Sequence, residues 1–326
     1  TLASQEAFDR AVTQMLNFQH ARPERIVCDL HPAYLTTAWA SRFSAAKNIE
    51  LVQVQHHVAH AYSLLAERDC QSRALVVAAD GTGYGADGTI WGGEILEIAG
   101  ETWQRRAHLP SFSLVGGDRA VRYPWRVALG IAHDWNLDWI AEVISEEIGD
   151  RQGNTGELEL VKSQLNSGFG VVSTTSCGRL FAAAAAILGI CTSVSYEAQA
   201  AMQLESAATN WAHANPLPRP KTFKSFRDLF EILGEGEREI GERAWFFHVG
   251  LAGLLANKTQ ELAEESQIST VGLTGGVALN RLFSTQFTHL LRKEGFKVLT
   301  HRTVPPNDGG LSLGQAWATV LGASEG

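Results

Sequence analysis

The sequence has no surplus of positive charge: 27 Lys and Arg stand against 35 Asp and Glu, for a formal charge of −8. Proteins that live on duplex nucleic acid carry a basic footprint, so no nucleic-acid partner is expected. Long apolar runs are also missing. The longest, Leu180–Cys191, is Ala-rich and twelve residues long, whereas a membrane span needs about 20. It predicts a buried helix and no membrane association, and no signal peptide is visible. Cysteine is scarce. Cys28, Cys70, Cys177 and Cys191 form no Cys-x-x-Cys pair, which excludes a disulfide framework or a zinc cage and fits reduced thiols in a cytoplasmic protein. With only 9 Pro, the one Pro-rich stretch is the expected linker Asn215–Lys221, and no fixed-period repeat is present.

What is there reads as an ordinary globular chain, 45% apolar and 19% charged over 326 residues. That length suits about two domains or one two-lobed fold. Helical spacing of Phe8, Val12 and Leu16 predicts an amphipathic helix over 3–20. Short apolar strands are expected at Arg25–Leu30 and Leu51–Gln55, each followed by a helix. Ala74–Ala79 is a continuous apolar run that stops at Asp80, the pattern of a central buried strand. Strands Ile90–Ile98 and Thr102–Leu109 suggest antiparallel hairpins, and residues 119–212 are expected to be mostly helical. A second strand–loop–helix unit follows at Val271–Leu273, Gly275-Gly276 and Ala278–Arg292, then strand Lys297–Thr300 and a closing helix at Leu311–Leu321. The expectation is an α/β protein: a first lobe over 1–115, and a second over 116–326 with a helical insertion. Ligands in such folds sit beyond the carboxyl ends of strands.

Four motifs lie at such edges. In Gln55-His56-His57-Val58-Ala59-His60, the i, i+4 spacing puts His56 and His60 on one helix face, where both can reach one metal. A buried structural helix start would leave the same pattern. Asp80-Gly81-Thr82-Gly83-Tyr84-Gly85 follows the central strand and is read as a phosphate loop, with Asp80 supplying a carboxylate for a cation. A capped hairpin turn is the plainer alternative. In Thr274-Gly275-Gly276-Val277-Ala278-Leu279-Asn280, two glycines before a helix place N–H groups and a helix dipole together, and Asn280 could read a nucleotide edge. In Pro305-Pro306-Asn307-Asp308-Gly309-Gly310, Asp308 would be either a helix cap or a metal carboxylate. Mixed nitrogen and oxygen ligation suits a divalent cation such as Fe, Zn, Mn or Mg.

The segments QHHVAH (55–60), DGTGYG (80–85), GGDRAVRYPWRVA (116–128), TSCGRLF (175–181), SYEAQAAMQLE (195–205), LTGGVALNRLF (273–283) and PPNDGGLSLGQA (305–316) resemble, in order, the carboxyl-terminal carbamoyltransferase domain of the HypF family. That family makes cyanide ligands for nickel–iron hydrogenases. The resemblance implies an ASKHA-type two-lobed fold with mixed sheets, as in actin, Hsp70 and sugar kinases. It also implies transfer of a carbamoyl group from carbamoyladenylate, made by a YrdC-like domain, to the carboxyl-terminal cysteine thiolate of a HypE-like partner. On this basis His56, His60, Asp80 and Asp308 are the expected metal ligands. Asp80, Gly81, Thr82, Gly83, Tyr84, Gly178, Gly275, Gly276 and Asn280 are expected around the ATP or AMP moiety. His57 is a candidate proton shuttle, although a surface histidine would need no function. Cys177 is read as structural, because the partner brings the nucleophile.

Three departures accompany the resemblance. Ala182 stands where the family commonly has Asp. The first hairpin of the family domain is expected to lie before Thr1, and so are the acylphosphatase-like, zinc-finger and YrdC-like modules. Alternatives are a small-molecule O-carbamoyltransferase, the related tRNA-modifying enzyme, or a non-catalytic nucleotide-binding module.

Overall fold

The structure is a computed structural model that describes residues 2–151, 153–219 and 221–326; Thr1, Gln152 and Pro220, the last within the expected linker, lie outside the described residues. Its strands are β1 (Arg25–Asp29), β2 (Glu50–Val54), β3 (Ala74–Tyr84), β4 (Ile90–Ala99), β5 (Thr102–His108), β6 (Phe112–Val115), β7 (Val171–Thr174), β8 (Thr270–Thr274), β9 (Lys297–Thr300) and β10 (Ser324–Glu325). β1 and β2 form a separate parallel pair, backed by the helix Leu35–Lys47. The other strands make one mixed sheet in the order β10-β5-β4-β3-β8-β9, with β6 and β7 paired beside β4. β3 is antiparallel to β4 and parallel to β8.

β3 explains why its sequence is apolar without alternation. Its odd-numbered residues Leu75, Val77 and Ala79 enter a core roofed by helices Pro124–Trp135, Cys177–Ile187 and Ile240–Glu265. Its even-numbered residues Ala74, Val76 and Ala78 enter a second core beneath helices His56–Glu67 and Leu311–Leu321. A strand covered on both faces has no solvent side to mark. Each fully buried Leu or Val side chain there contributes about 1.5–3 kcal/mol. The arrangement aligns the carboxyl ends of β1, β3 and β8 toward one place, which is where the histidine helix His56–Glu67 begins.

The expected helices and strands are present, with instructive differences. β3 does not stop at Asp80 but runs on through Gly81–Tyr84, so DGTGYG is the start of a hairpin and not a free loop. Its pairing with β4 is irregular between Ala79 and Gly83. The span 119–212 also contains the strand β7, too short to leave a pattern. Residues 276–292 form a short 3-10 turn, Gly276–Leu279, followed by a helix from Arg281. β8 and β9 complete the same sheet as β3–β5, and a division of the chain at residue 115 is a proposal that must accommodate this shared sheet. No helix among the described residues is long and apolar enough to cross a membrane.

Candidate metal and nucleotide site

Gln55 ends the strand-to-helix turn, and its side-chain oxygen accepts the Val58 N–H at 2.9 Å, capping the helix. The i, i+4 geometry then turns His56 and His60 toward β3 and the segment 305–310. Asp80 Oδ2 lies 3.4 Å from His56 Nε2 and 3.7 Å from His60 Nε2. Asp308 Oδ1 lies 3.6 and 3.5 Å from the same two nitrogens. One donor atom from each of the four residues falls within 4.8 Å of all the others. At these separations the nitrogens and oxygens are too far apart for good hydrogen bonds, and both Nε2 atoms are buried with no hydrogen-bond partner. Donors sharing one cation at about 2.0–2.2 Å sit at such spacings. The set fits a divalent cation with mixed nitrogen and oxygen ligands.

Electrostatics support the same view. Burial works against charge on His56, but its hydrogen bond to Asp29 and the nearby carboxylates of Asp308 and Asp80 outweigh it and push the ring up to about 12. His60 is raised in the same way against its own burial, by Asp308 and Asp80. Burial pushes the Asp80 carboxyl up, yet His56 and His60 hold it well below the usual carboxylate range. The same pair lowers Asp308. The two carboxylates and two imidazoles thus favour each other's charged forms, and a cation binding there would compete with protons for the imidazole nitrogens.

Asp308 does not cap the turn that follows it. Asn307 does, its side-chain oxygen accepting the Gly309 N–H at 3.2 Å, and this leaves the Asp308 carboxylate for the histidines. Asp80 has a second duty, since its Oδ1 accepts the Gly276 N–H at 2.8 Å. Gly275 has φ +92°, and a Cβ there would lie 2.2 Å from the Ala79 oxygen, so only glycine lets this loop press against the end of β3. Its N–H donates to the Pro306 oxygen at 3.0 Å. The amides of Gly275 and Gly276 are therefore engaged by protein. Asn280 Oδ1 caps the next helix by accepting the Phe283 N–H at 3.0 Å, and only its amide nitrogen is left for a ligand.

DGTGYG serves the histidines. A Cβ on Gly83 would sit 2.5 Å from His57 Cε1 and 2.8 Å from His56 Cδ2; the missing side chain makes room for the two rings. Thr82 and Tyr84 are half-buried along β3, and the Tyr84 carbonyl accepts from the Gln55 amide. His57 is not on a helix surface. It is fully buried, and burial, reinforced by neighbouring His56, drives its pKa well below the usual histidine value. Gln55 Nε2 donates to the Tyr84 carbonyl and faces His57 Nδ1 at 3.3 Å, an arrangement that places the His57 proton on Nε2.

Gly178 packs against the Asp80–Gly81 backbone on one side. On the other it opens into a cavity of about 340 Å³ shared with Arg179, Ala182, Arg122 and Tyr196. The motifs TSCGRLF and SYEAQAAMQLE thus meet at this cavity, and of the residues expected around the nucleotide it is Gly178 that lines it. Asp80, Gly81, Thr82, Gly83, Tyr84, Gly275, Gly276 and Asn280 do not. Arg126, from the same basic segment as Arg122, is fully buried and bonded to Glu157 and the Val115 carbonyl, a structural role. Cys177 is fully buried and its thiol is pushed up by burial and by the Asp80 charge.

Asp29 was not singled out by the sequence, where it stands near the end of an expected strand. Its Oδ2 accepts from His56 Nδ1 at 2.8 Å, and its Oδ1 accepts the His31 N–H at 2.9 Å. An outer carboxylate that orients a ligating imidazole is a recurrent partner of metal sites. The only sequence signal for it was an acid at the carboxyl end of a strand.

Two family models match the chain, "HypF Kae1-like domain" over residues 1–67 and "Carbamoyltransferase, Kae1-like Domain, second subdomain" over residues 76–315. The chain belongs to the HypF carbamoyltransferase family. A carbamoyltransferase HypF homolog of Cupriavidus necator is 35% identical over 98% of this chain and 83% of that protein. The probable carbamoyltransferase HypF of Methanocaldococcus jannaschii is 35% identical over 91% of this chain but only 39% of its own length. A crystal structure of full-length HypF in the phosphate- and nucleotide-bound form superposes with a TM-score of 0.84 at 29% identity, covering 96% of this chain and 49% of that one. The chain therefore has the α/β fold of HypF and spans about half or less of the longer HypF proteins.

Proposed function

We propose that this chain transfers a carbamoyl group from carbamoyladenylate to the carboxyl-terminal cysteine thiolate of a HypE-like partner, the step that leads to cyanide ligands for nickel–iron hydrogenases. The observation that carries the proposal is the convergence of His56, His60, Asp80 and Asp308 on one point in a HypF-family chain, with the Gly178 cavity next to it. A divalent cation held there would supply Lewis-acid polarisation of the carbamoyl or phosphate oxygens. His56, oriented by Asp29, and His60 would hold it from the helix, with Asp80 and Asp308 opposite. The cavity between Gly178 and Tyr196 would take the adenylate, with Arg122 and Arg179 facing its phosphate. His57 Nε2–H, buried on this helix, is the proposed hydrogen-bond donor to the departing AMP phosphate, which leaves as an anion when the thiolate takes the carbamoyl carbon.

No side chain of this protein need act as nucleophile. Cys177, with its thiol pushed up, is unsuited to the task. The donor carbamoyladenylate would come from a YrdC-like domain, acting before this one. The test is to supply purified protein and divalent metal with carbamoyladenylate and, separately, a cysteine-ended acceptor protein or a hydroxylated small molecule. Carbamoylation of the thiol is expected. Transfer only to the hydroxyl would make the chain an O-carbamoyltransferase, and nucleotide binding without any transfer would make it a binding module.

A further inference from the structure

Glu67 closes the histidine helix at the end away from His56, and its carboxylate is ringed by donors. Oε1 accepts the backbone N–H groups of Arg302 at 3.0 Å and Val304 at 2.9 Å, together with that of Thr303. Oε2 accepts from His301 Nδ1 at 2.9 Å. His301 in turn receives the Thr274 hydroxyl on Nε2 at 2.9 Å, and Thr274 is the last residue of β8, next to the Gly275 whose N–H holds the Pro306 carbonyl. The segment from His301 to Pro306 is thereby tied down along its length.

That segment delivers Asp308. His56, His60 and Asp80 are buried and fixed by a helix and a strand, whereas the Asp308 side chain is 71% exposed and pairs with the two histidines. Its position rests on the loop that carries it. We infer that Glu67 is a positioning residue, which by ordering residues 301–304 holds Asp308 against His56 and His60. One short helix would then build the site twice, with ligands at its start and an anchor for the opposing ligand at its end. The inference rests on the cation reading of the site proposed above.

The test compares Zn²⁺ binding by the full chain, stripped of metal, in wild type and Glu67→Gln, alongside circular dichroism, thermal melting and hydrogen exchange at residues 302–304. Expected is a folded variant with faster exchange there and Zn²⁺ affinity lower by about 10–100-fold, the usual loss on removing an outer support of a metal site. A variant that melts earlier but binds Zn²⁺ like wild type would reduce Glu67 to a structural role and overturn the inference. Should Glu67→Gln not fold, His301→Ala removes one tie and leaves the three backbone ones; weaker Zn²⁺ binding supports the inference and unchanged binding overturns it. Wild type that bound no Zn²⁺, Mn²⁺ or Fe²⁺ would sink the cation site itself, and this inference with it.

Discussion

Asp29 Oδ2 lies 2.8 Å from His56 Nδ1, which leaves Nε2 of that ring as the nitrogen turned toward Asp80 and Asp308. The carboxylate does more than orient, because its charge raises the basicity of the imidazole it holds. Asp29→Asn keeps the shape and an acceptor but removes the charge. Metal affinity, read by isothermal calorimetry on stripped protein, is expected to fall about 10–100-fold with the fold intact. An unchanged affinity would show that Asp29 is only a turn residue.

His60→Ala should abolish stoichiometric metal and carbamoyl transfer while the melting profile stays cooperative. Both ring nitrogens of His60 are buried without a hydrogen-bond partner, so its loss removes a donor without dismantling a network. Metal analysis by mass spectrometry alongside the transfer assay decides the point: full transfer by a metal-free His60→Ala protein would refute the role of the cation.

Gly83→Ala places a methyl group where His57 and His56 now stand. Overpacking of a tight interior costs typically about 1–3 kcal/mol, readable in urea denaturation. Because the displaced atoms belong to the ligand helix, metal affinity should fall together with stability. A variant with wild-type affinity would mean that the rings can shift without moving Nε2.

The acid limb of the stability curve should carry a contribution from Glu67. Burial tends to raise its pKa, but the N–H groups of Thr303, Val304 and Arg302 and the nearby His301 outweigh this and lower it from 4.5 to about 2. A depressed folded-state value means that the contribution is complete above about pH 4.5 and is lost as the pH falls toward 2. The facing groups are His301, itself kept below its usual value by burial, and Arg68 beyond it. Denaturant midpoints measured between pH 6 and pH 2.5 should therefore drop less steeply in Glu67→Gln than in wild type; parallel curves would count against this origin.

Cysteine reactivity separates a partner-borne nucleophile from an internal one. Cys28, Cys177 and Cys191 are buried, and Cys70 is half-buried near the surface. Iodoacetamide on the native protein should label Cys70 first and leave Cys177 untouched until unfolding. Cys177→Ser should retain transfer within a few-fold, and complete loss of activity in a folded Cys177→Ser protein would assign the thiol a chemical role.

How much of this was legible in the sequence depends on the range of the interaction concerned. The histidine pair was visible because i, i+4 spacing is local geometry, and β3 was visible because burial on both faces leaves an unbroken apolar run. DGTGYG misled as to structure: three glycines resemble a loop, since glycine is poor in strands, but here Gly83 is small for the sake of the two rings packed on it. At Asp308 the sequence left a helix cap and a metal carboxylate both open, and only the fold shows that Asn307 takes the cap. Asn280 posed the converse ambiguity, an amide that could read a ligand and whose oxygen caps a helix. Asp29 and Glu67 were hidden because their partners are distant in sequence, at His56 and at residues 301–304, and no local pattern announces a carboxylate whose purpose is another residue's placement.

The four converging side chains lie between residues 56 and 308 of one polypeptide. A ribosome making this protein must therefore extend the chain past Asp308 before the last donor exists, and domains generally fold in step with synthesis from the amino-terminal side. The helix and the central strand can be in place while the fourth donor is still unmade, so the proposed cation could be fully enclosed only after Asp308 has been synthesised.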